Sequence, residues 1–247
     1  MKFSAVFTTL VAVASAAPSR DISSSSGSKV QKRAAVFATA KTFDDLSISG
    51  KNAGTAKEDA LQKLSGLPTD LSTVDKADLA FLNNVNKIAN QAERGAYNVE
   101  IAKTAPGEDA LALQRAKIQN KDLKLTATVM GLQAQQAQGK NVTAKLDEET
   151  KKLNKNIADD VANAGKPATA LKFNASTDNP AATEVPKDDA LATKAGDVVD
   201  QSIKAAGGNA GAAGAKGTGK KGTKTASKAV EAAEVADEVA AGEEDEE

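Results

Sequence analysis

The 247-residue sequence contains no cysteine, no histidine and no tryptophan, and aromatic residues make up only 3% of it. Without cysteine the chain forms no disulfides and has no thiolate nucleophile. Without histidine it has neither a His-dependent catalytic triad nor a zinc site of the Cys/His kinds. We therefore expect no catalytic, cofactor-binding or metal-binding residues, and the sequence predicts a protein that is not an enzyme.

The sequence also has no large excess of charge of one sign, because it contains 32 Lys and Arg and 33 Asp and Glu. This balance argues against a wholly basic nucleic-acid binder. Residues 207–228 do carry five lysines and no acid, but residues 229–247 follow with nine acids and no base. The acidic block competes for the same lysines, and no aromatic residue lies among them to stack on bases. A nucleic-acid partner is therefore not expected.

Residues 1–17 have the pattern of a secretory signal peptide. Lys2 supplies the positive charge and residues 3–14 are mostly apolar. Small residues place the cleavage after Ala17, with residues 15–17 as the recognised triplet, or one residue earlier, with residues 14–16. A transmembrane helix needs about 20 apolar residues, and this run is shorter. The sequence predicts secretion, with the product free outside the cell or associated with the cell wall.

Residues 18–33 are rich in serine and end in the dibasic pair Lys32-Arg33. A kexin-type protease cuts after such a pair when the backbone is extended and exposed. This predicts a propeptide and a mature chain that begins at Ala34; the alternative is a polar linker that happens to end in two basic residues. Removal of 33 residues takes away five bases and one acid, so 27 bases face 32 acids and the formal charge becomes −5.

Two N-glycosylation sequons follow in the mature chain, at Asn141 and Asn174. Both fall in predicted loops, as a glycan requires. Such triplets also occur by chance, so their occupancy stays open.

Four helices are predicted by apolar residues that recur at helical spacing. They cover about residues 55–66, 72–103, 108–139 and 141–165, with breaks at Gly66, at 105–107 and at Gly139. The third helix carries two apolar stripes, which predicts that it lies between neighbours as the central helix. Its stripes are Leu111, Ile118, Leu125 and Leu132, and Ala116, Leu123, Met130 and Ala137.

The ends and faces of the other helices give further expectations. Ser72, three residues before Asp75, predicts the cap of the second helix, and Asn141 or Thr143 that of the fourth. A polar stripe on the second helix (Asn83, Asn86 and Asn90) is interpreted as an exposed face, with a recognition surface as the sharper alternative. The fourth helix should bury Leu146, Leu153, Ile157, Val161 and Ala164.

The predicted fold class is all-α, an antiparallel four-helix-type bundle over residues 54–173 with a disordered low-complexity C-terminal tail. An N-terminal arm over residues 34–53 precedes the bundle, with residues 43–48 extended. The expected core rings are Phe43, Phe81, Tyr97 and Phe173. Residues 174–247 change to Gly/Ala/Lys and then acidic composition, which predicts disorder.

Apparent site motifs do not have the context that they need. Residues 217–222 match the dinucleotide-binding fingerprint, but no strand precedes them, and a nearby P-loop-like run lacks the Ser or Thr that holds magnesium. The carboxylate pairs at 44–45, 148–149 and 159–160 are adjacent along the chain, so the two side chains of a pair point in different directions. We interpret them as solvated or helix-end charges.

Several segments resemble a group of small secreted proteins, or candidate effectors, of filamentous ascomycete fungi. The segments are LSISG (46–50) with Ala53-Gly54, LSTVDKADL (71–79), AKIQNKDLKLT (116–126) and residues 168–173. The resemblance covers roughly residues 43–174, implies no catalytic residue, and does not extend into the tail. A looser likeness is to fungal hydrophobic-surface-binding proteins and cell-wall galactomannoproteins.

These observations predict a secreted, non-enzymatic fungal protein that binds a protein or surface at a host interface. The first alternative is a structural or surface-active component of the cell wall. The second is a carrier of a small apolar ligand in a groove between helices.

Overall fold

The computed structural model describes residues 34–207. The predicted signal peptide and propeptide, with their cleavage positions at Ala17, Lys32 and Arg33, lie outside the described residues, and so do residues 208–247 of the predicted tail.

Seven α-helices make up most of this part of the chain. They are α1 (Phe43–Leu46), α2 (Ala56–Lys63), α3 (Lys76–Ala92), α4 (Asn98–Lys103), α5 (Glu108–Ala137), α6 (Thr143–Ala162) and α7 (Asp189–Ala205), with a π-helical turn (Glu93–Tyr97) between α3 and α4 and short 3₁₀ turns at Leu71–Thr73 and Pro180–Thr183. Over residues 34–207 there is no strand, and one isolated bridge joins Thr42 to Ser176. The protein is an all-α bundle, which confirms the predicted fold class.

Helix α5 is the centre of the bundle, as its two apolar stripes predict. It packs against α2, α3, α4, α6 and α7. Short links reverse the chain at each end of α5, so the helices before and after it run back along it. Gly139, with a φ of 88°, forms the turn after α5 in a conformation that suits glycine.

Two clusters of buried apolar side chains stabilise the bundle. The larger joins α1, α2, α3 and α5 and includes Phe43, Leu64, Val85, Tyr97 and Leu123. The smaller joins α4, α5 and α7 and includes Ile101, Ala110, Leu113, Ala195, Val198, Val199 and Ile203.

The N-terminal arm belongs to the bundle, and the prediction of an extended segment at residues 43–48 is wrong. Thr42 and Asp45 form a capping box in which the side chain of each accepts the backbone N–H of the other, and this nucleates helix α1. Phe43 and Leu46 are thereby buried. Phe37 also joins the expected rings, because it stacks on Phe81 with the ring centroids 4.4 Å apart.

Helix α3 begins three residues later than predicted, because a different residue is its cap. Asp75 accepts the backbone N–H of Ala77 at 2.8 Å and is itself the N-cap. Ser72 instead donates its hydroxyl to Asp70 within the preceding 3₁₀ turn. An aspartate one turn closer to the helix therefore displaces the predicted serine.

Neither predicted cap holds the start of α6. Val142 occupies the N-cap position and no side chain accepts a backbone N–H there. Thr143 is the first helical residue, and its hydroxyl accepts the side-chain amide of Gln136 at 3.0 Å. Asn141 lies exposed in the preceding loop.

The face that α6 buries is polar, contrary to the apolar stripe that was expected. Leu146, Leu153 and Ile157 are only half-buried, and Val161 is 56% exposed. The buried side chains are those of Glu149, Asn156 and Asp160, followed by Asn163 beyond the helix end. The reason is that α5, against which α6 packs, also buries polar side chains.

The predicted disorder of the tail is wrong for the part of it that the structure describes. Helix α7 packs against α4 and α5 through Ala195, Val198, Val199 and Ile203. Asp188 starts the helix by accepting the backbone N–H of Leu191 at 2.8 Å. The Gly/Ala/Lys and acidic composition of the residues after 207 dominates the average over the predicted tail. The short amphipathic stripe before them nevertheless forms a helix that packs on the bundle.

Candidate functional site

The most unusual backbone in the described residues is the π-helical turn Glu93–Tyr97, which joins α3 to α4 with helical backbone angles at both junctions. The sequence predicts one long helix to about Lys103, and that is confirmed except for this turn. A π turn inserts an extra residue and costs regular hydrogen bonding, and such turns are frequent at functional sites.

A cluster of four charged side chains, here called the Glu93 cluster, lies beside the π turn. Lys117, Lys121 and Lys124 share one face of α5, and their ammonium nitrogens lie 3.6, 3.5 and 3.4 Å from the carboxylate of Glu93. The side chains of Lys124, Glu93 and Lys117 are 3, 12 and 17% exposed, so this is a largely buried group and not a solvated face.

The lysines determine the protonation of this cluster. Burial alone would raise the pKa of Glu93, but Lys121, Lys124 and Lys117 together outweigh burial and hold that pKa well below its usual range. Burial lowers the pKa of Lys117, and the repulsion from Lys121 and Lys124 adds to it, against the attraction of Glu93. Glu93 is therefore an ionised acceptor and a poor proton carrier near neutral pH.

Two asparagines on the helix with the π turn complete the arrangement. Lys117 donates to the side-chain oxygen of Asn98 at 2.7 Å, and Lys124 to that of Asn90 at 3.4 Å. The interpretation of the α3 polar stripe as an exposed face is wrong, because Asn90 is 7% exposed and Asn86 donates to the hydroxyl of Thr128 on α5. Helix α3 turns these amides toward α5, where they meet polar partners.

The segment of residues 180–188, here called the strap, covers one side of the π turn. The backbone N–H of Val185 donates to the side chain of Gln91, and the guanidinium of Arg94 lies 3.5 Å from the carbonyl oxygen of Val185. Gly95 permits this approach, because a Cβ there would lie 2.8 Å from Val185 and 3.0 Å from the ring of Phe173.

An open crevice of about 330 Å³ remains between the π turn, α4, the strap and the start of α7. One wall is polar and is formed by Asn90, Glu93, Arg94 and Asn98. The rest of the lining includes apolar side chains of α4, the strap and α7 (Val99, Val185, Pro186 and Leu191) and the charged side chains of Lys187 and Asp188. This volume is at the lower end of the range for small-molecule sites.

A second polar group lies between α5 and α6, away from the crevice. Asp122 is completely buried, and neither of its carboxylate oxygens accepts a hydrogen bond of regular geometry. Asp160 is 2% exposed, and one of its oxygens accepts the backbone N–H groups of Gly54 and Ala56, both at 2.9 Å. The amide of Asn156 donates to the carbonyl oxygen of Ile118.

Burial raises the pKa of Asp122 to about 7, and repulsion from Asp160 and Asp159 adds to it, while Asn156 lowers it only in part. Burial also raises the pKa of Asp160, against its two backbone hydrogen bonds. Among residues 34–207 no three acidic side chains converge in a way that could hold a metal ion. We therefore consider this pair a determinant of stability and the crevice the candidate site.

Of the positions singled out in the sequence, Asn90 lines the crevice, whereas the sequons and the carboxylate pairs do not. Asn141 and Asn174 are exposed in loops, where a glycan could be attached. The carboxylate pairs are not uniformly solvated, because Glu149 and Asp160 are buried. The interpretation of those two residues as surface charges is wrong, since each lies on the face of α6 that packs on α5.

Sequence reasoning missed the Glu93 cluster altogether. Its signal was present, since lysines at 117, 121 and 124 recur with the i, i+4, i+7 spacing of one helix face. Over the described part of the chain, no helix is long and apolar enough to cross a membrane.

Comparison with known proteins identifies the domain but not an activity. The chain matches no curated protein and no solved structure. Residues 37–172 match the model of a domain of unknown function (DUF8454), which covers α1 to α6 and leaves the strap and α7 outside the match. Since this match spans more than half of the chain, the protein belongs to the DUF8454 family.

Proposed function

We propose that this protein acts by binding, without catalysis, and that the crevice at the π turn is where it binds. The observation that supports this most is the Glu93 cluster, because the three lysines of α5 hold Glu93, Asn90 and Asn98, and these three side chains line an open crevice. Buried charges are costly unless function or pairing retains them. Glu93 is held ionised, so the cluster supplies charge and hydrogen bonds more readily than proton transfer.

The proposal places this binding outside the cell, as a secreted protein of a fungus that acts at a host interface. It is supported by the signal-peptide pattern of residues 1–17, by the dibasic pair Lys32-Arg33 and by the resemblance to small secreted fungal proteins. The partner would then be a host protein or surface that presents a group complementary to the crevice.

A cell-wall protein is the second proposal. The positions of Asn141 and Asn174 favour it, because both sequons lie exposed in loops and a glycosylated helical protein suits the wall. The crevice is less favourable to a carrier of purely apolar ligands, because such a ligand would displace water from the polar wall without forming hydrogen bonds to it.

Fractionation of a strain that expresses the full chain with a C-terminal tag tests the location. The proposal predicts the protein in the culture fluid, with an intact mass that begins at residue 18 or, after dibasic cleavage, at Ala34. Release only by glucanase or detergent would replace the host-interface proposal with the wall protein. Retention inside the cell with an intact N-terminus would contradict both.

A further inference from the structure

We propose that the surface under α7 is a docking groove for an amphipathic α-helix of a protein partner, and that α7 occupies this groove until the partner displaces it. The groove, here called the α7 groove, consists of Ile101 and Ala102 of α4 and of Ala110, Leu111 and Leu113 of α5. This inference goes beyond the proposed function, because it concerns a second surface beside the crevice and names the kind of partner that fits it.

The contacts of α7 show which kind of chain the groove accepts. Its inward-facing apolar residues recur at intervals of three, four and seven, as on one face of a helix, and amphipathic helices bind apolar grooves of other proteins in this way. They are Leu191, Ala195, Val198, Val199 and Ile203. On the same face, the fully buried hydroxyl of Ser202 accepts the backbone N–H of Gly107 at 2.9 Å. A partner helix should therefore carry this apolar pattern and a small hydrogen-bond acceptor near its end.

The rest of the bundle has an apolar core of its own. Among residues 34–207, the larger cluster contains no side chain of α7, whose apolar contacts belong to the smaller cluster. The match to the family model also ends at residue 172, before the strap and α7. Both observations indicate that the bundle stays folded when α7 leaves, with the α7 groove exposed.

The sequence of α7 is not that of a strong helix or of a tight binder. Gly196 lies in the interior of this 17-residue helix, and glycine is unfavourable there because it loses the most backbone freedom on folding. Two of its buried residues, Ala195 and Ser202, have small side chains that contribute little apolar area to the contact. A partner helix with larger apolar side chains and no glycine would compete with α7 for the groove.

The start of α7 also leaves space beside the groove unfilled. The crevice of about 330 Å³ lies between α4 and the start of α7, where Val99 and Ala192 both line it. A helix with leucine in place of Ala192 would extend apolar atoms into this space, and such contacts are favourable. The α7 of a second copy would leave the same gap. The gap therefore favours a partner of different sequence over an exchange of α7 between two copies.

Fluorescence anisotropy with a labelled peptide tests the inference on the full chain. The probe is the sequence of residues 187–207 with Ala192→Leu, which fills the crevice, and Gly196→Ala, which strengthens the helix. The acceptor is the variant Ala195→Glu, whose own α7 would have to bury a charge in order to dock. We expect this variant to bind the probe at one site per chain, at least about tenfold more tightly than the wild type, in which the tethered α7 competes.

Matched controls place the probe in the groove. Ala190→Glu, at an exposed position of α7, makes the same change as Ala195→Glu outside the groove and should bind the probe as weakly as the wild type does. Leu111→Glu, added to Ala195→Glu, places a charge at a half-buried position of the groove and should remove most of the binding. A probe that keeps Ala192 should bind more weakly than the probe with leucine. Circular dichroism should show that Ala195→Glu still unfolds cooperatively on heating.

Equal affinity of the probe for Ala195→Glu and the wild type would overturn the inference, as would no binding to either. Loss of cooperative unfolding in Ala195→Glu would also overturn it, because the bundle would then need α7 in order to fold. Wild-type dimers that exchange α7, detected by light scattering, would replace the protein partner by a second copy. The proposed location would survive each of these results, because its own failure shows as retention of the protein inside the cell.

Discussion

Asp122 gives the most quantitative prediction of the structure. It is fully buried between α5 and α6 without a hydrogen bond of regular geometry, and burial raises its pKa from 3.8 to about 7. At pH values between these two numbers the folded protein holds a proton that the unfolded chain has released. The contribution of Asp122 to the free energy of unfolding is therefore fully present below about pH 4. It decreases as the pH rises to about 7 and is constant above that.

The size of this loss follows from the shift, at 1.36 kcal/mol for each pKa unit. A shift of about three units makes ionised Asp122 cost roughly 4 kcal/mol at pH 8, a large part of the stability of an ordinary domain. Asp122→Asn replaces the carboxyl by a neutral group of the same shape. We expect this variant to be more stable than the wild type by about 2–4 kcal/mol at pH 8 and within about 1 kcal/mol of it at pH 4.

Urea unfolding followed by circular dichroism at pH 4, 5, 6, 7 and 8 measures the effect. Asp147→Asn, at an exposed position of α6, removes a carboxylate without burial and should leave the pH dependence of the wild type. Some dependence should remain in Asp122→Asn because the pKa of Asp160 is also raised. Equal curves for wild type and Asp122→Asn would refute the reasoning, as would a variant that is less stable at pH 8.

Three further predictions concern the strap, α7 and the sequons. Gly95→Val should destabilise the protein by about 1–3 kcal/mol in urea unfolding, because the added side chain overlaps the strap. Ala195→Glu places a charge in the cluster that holds α7, so limited proteolysis should cut between residues 177 and 189 much faster than in the exposed control Ala190→Glu. Asn141→Gln and Asn174→Gln should each reduce the intact mass of the secreted protein by one glycan, and unchanged masses would show unoccupied sequons.

The boundaries of the long central helix α5 could be predicted from the sequence because they depend on local signals. Apolar repeats placed α5 at the centre, and the break at residues 105–107 separates α4 from α5 as expected. The N-cap residues were harder to predict. Both Ser72 and Asp75 are suitable N-caps for α3, and the backbone conformation before the helix determines which of them caps it.

The site could not be predicted because it depends on which faces meet. Asn90 and Lys124 each look like surface residues in a sequence, and they become a buried pair only when α3 packs on α5. The same is true of Asp160, whose partners Gly54 and Ala56 are about a hundred residues away. Polar interfaces between helices leave no apolar stripe, so a search for such stripes overlooks them.

The π turn had a weak signal in the glycine at position 95, inside an otherwise regular helix pattern. A glycine in such a place usually permits a close approach, here that of Val185 on the strap. Helix α7 was missed because disorder was assigned from the average composition of residues 174–247. A stripe of four apolar contacts over residues 195–203 was enough to form a docked helix.

Native mass spectrometry tests the central claim most directly, that the crevice is a binding site. Wild type and Asn98→Asp would be purified side by side from culture fluid and equilibrated with the same small-molecule extract. The account predicts one small molecule bound to each wild-type chain and none to the variant. A wild type without a bound molecule, or the same molecule on both proteins, would contradict it.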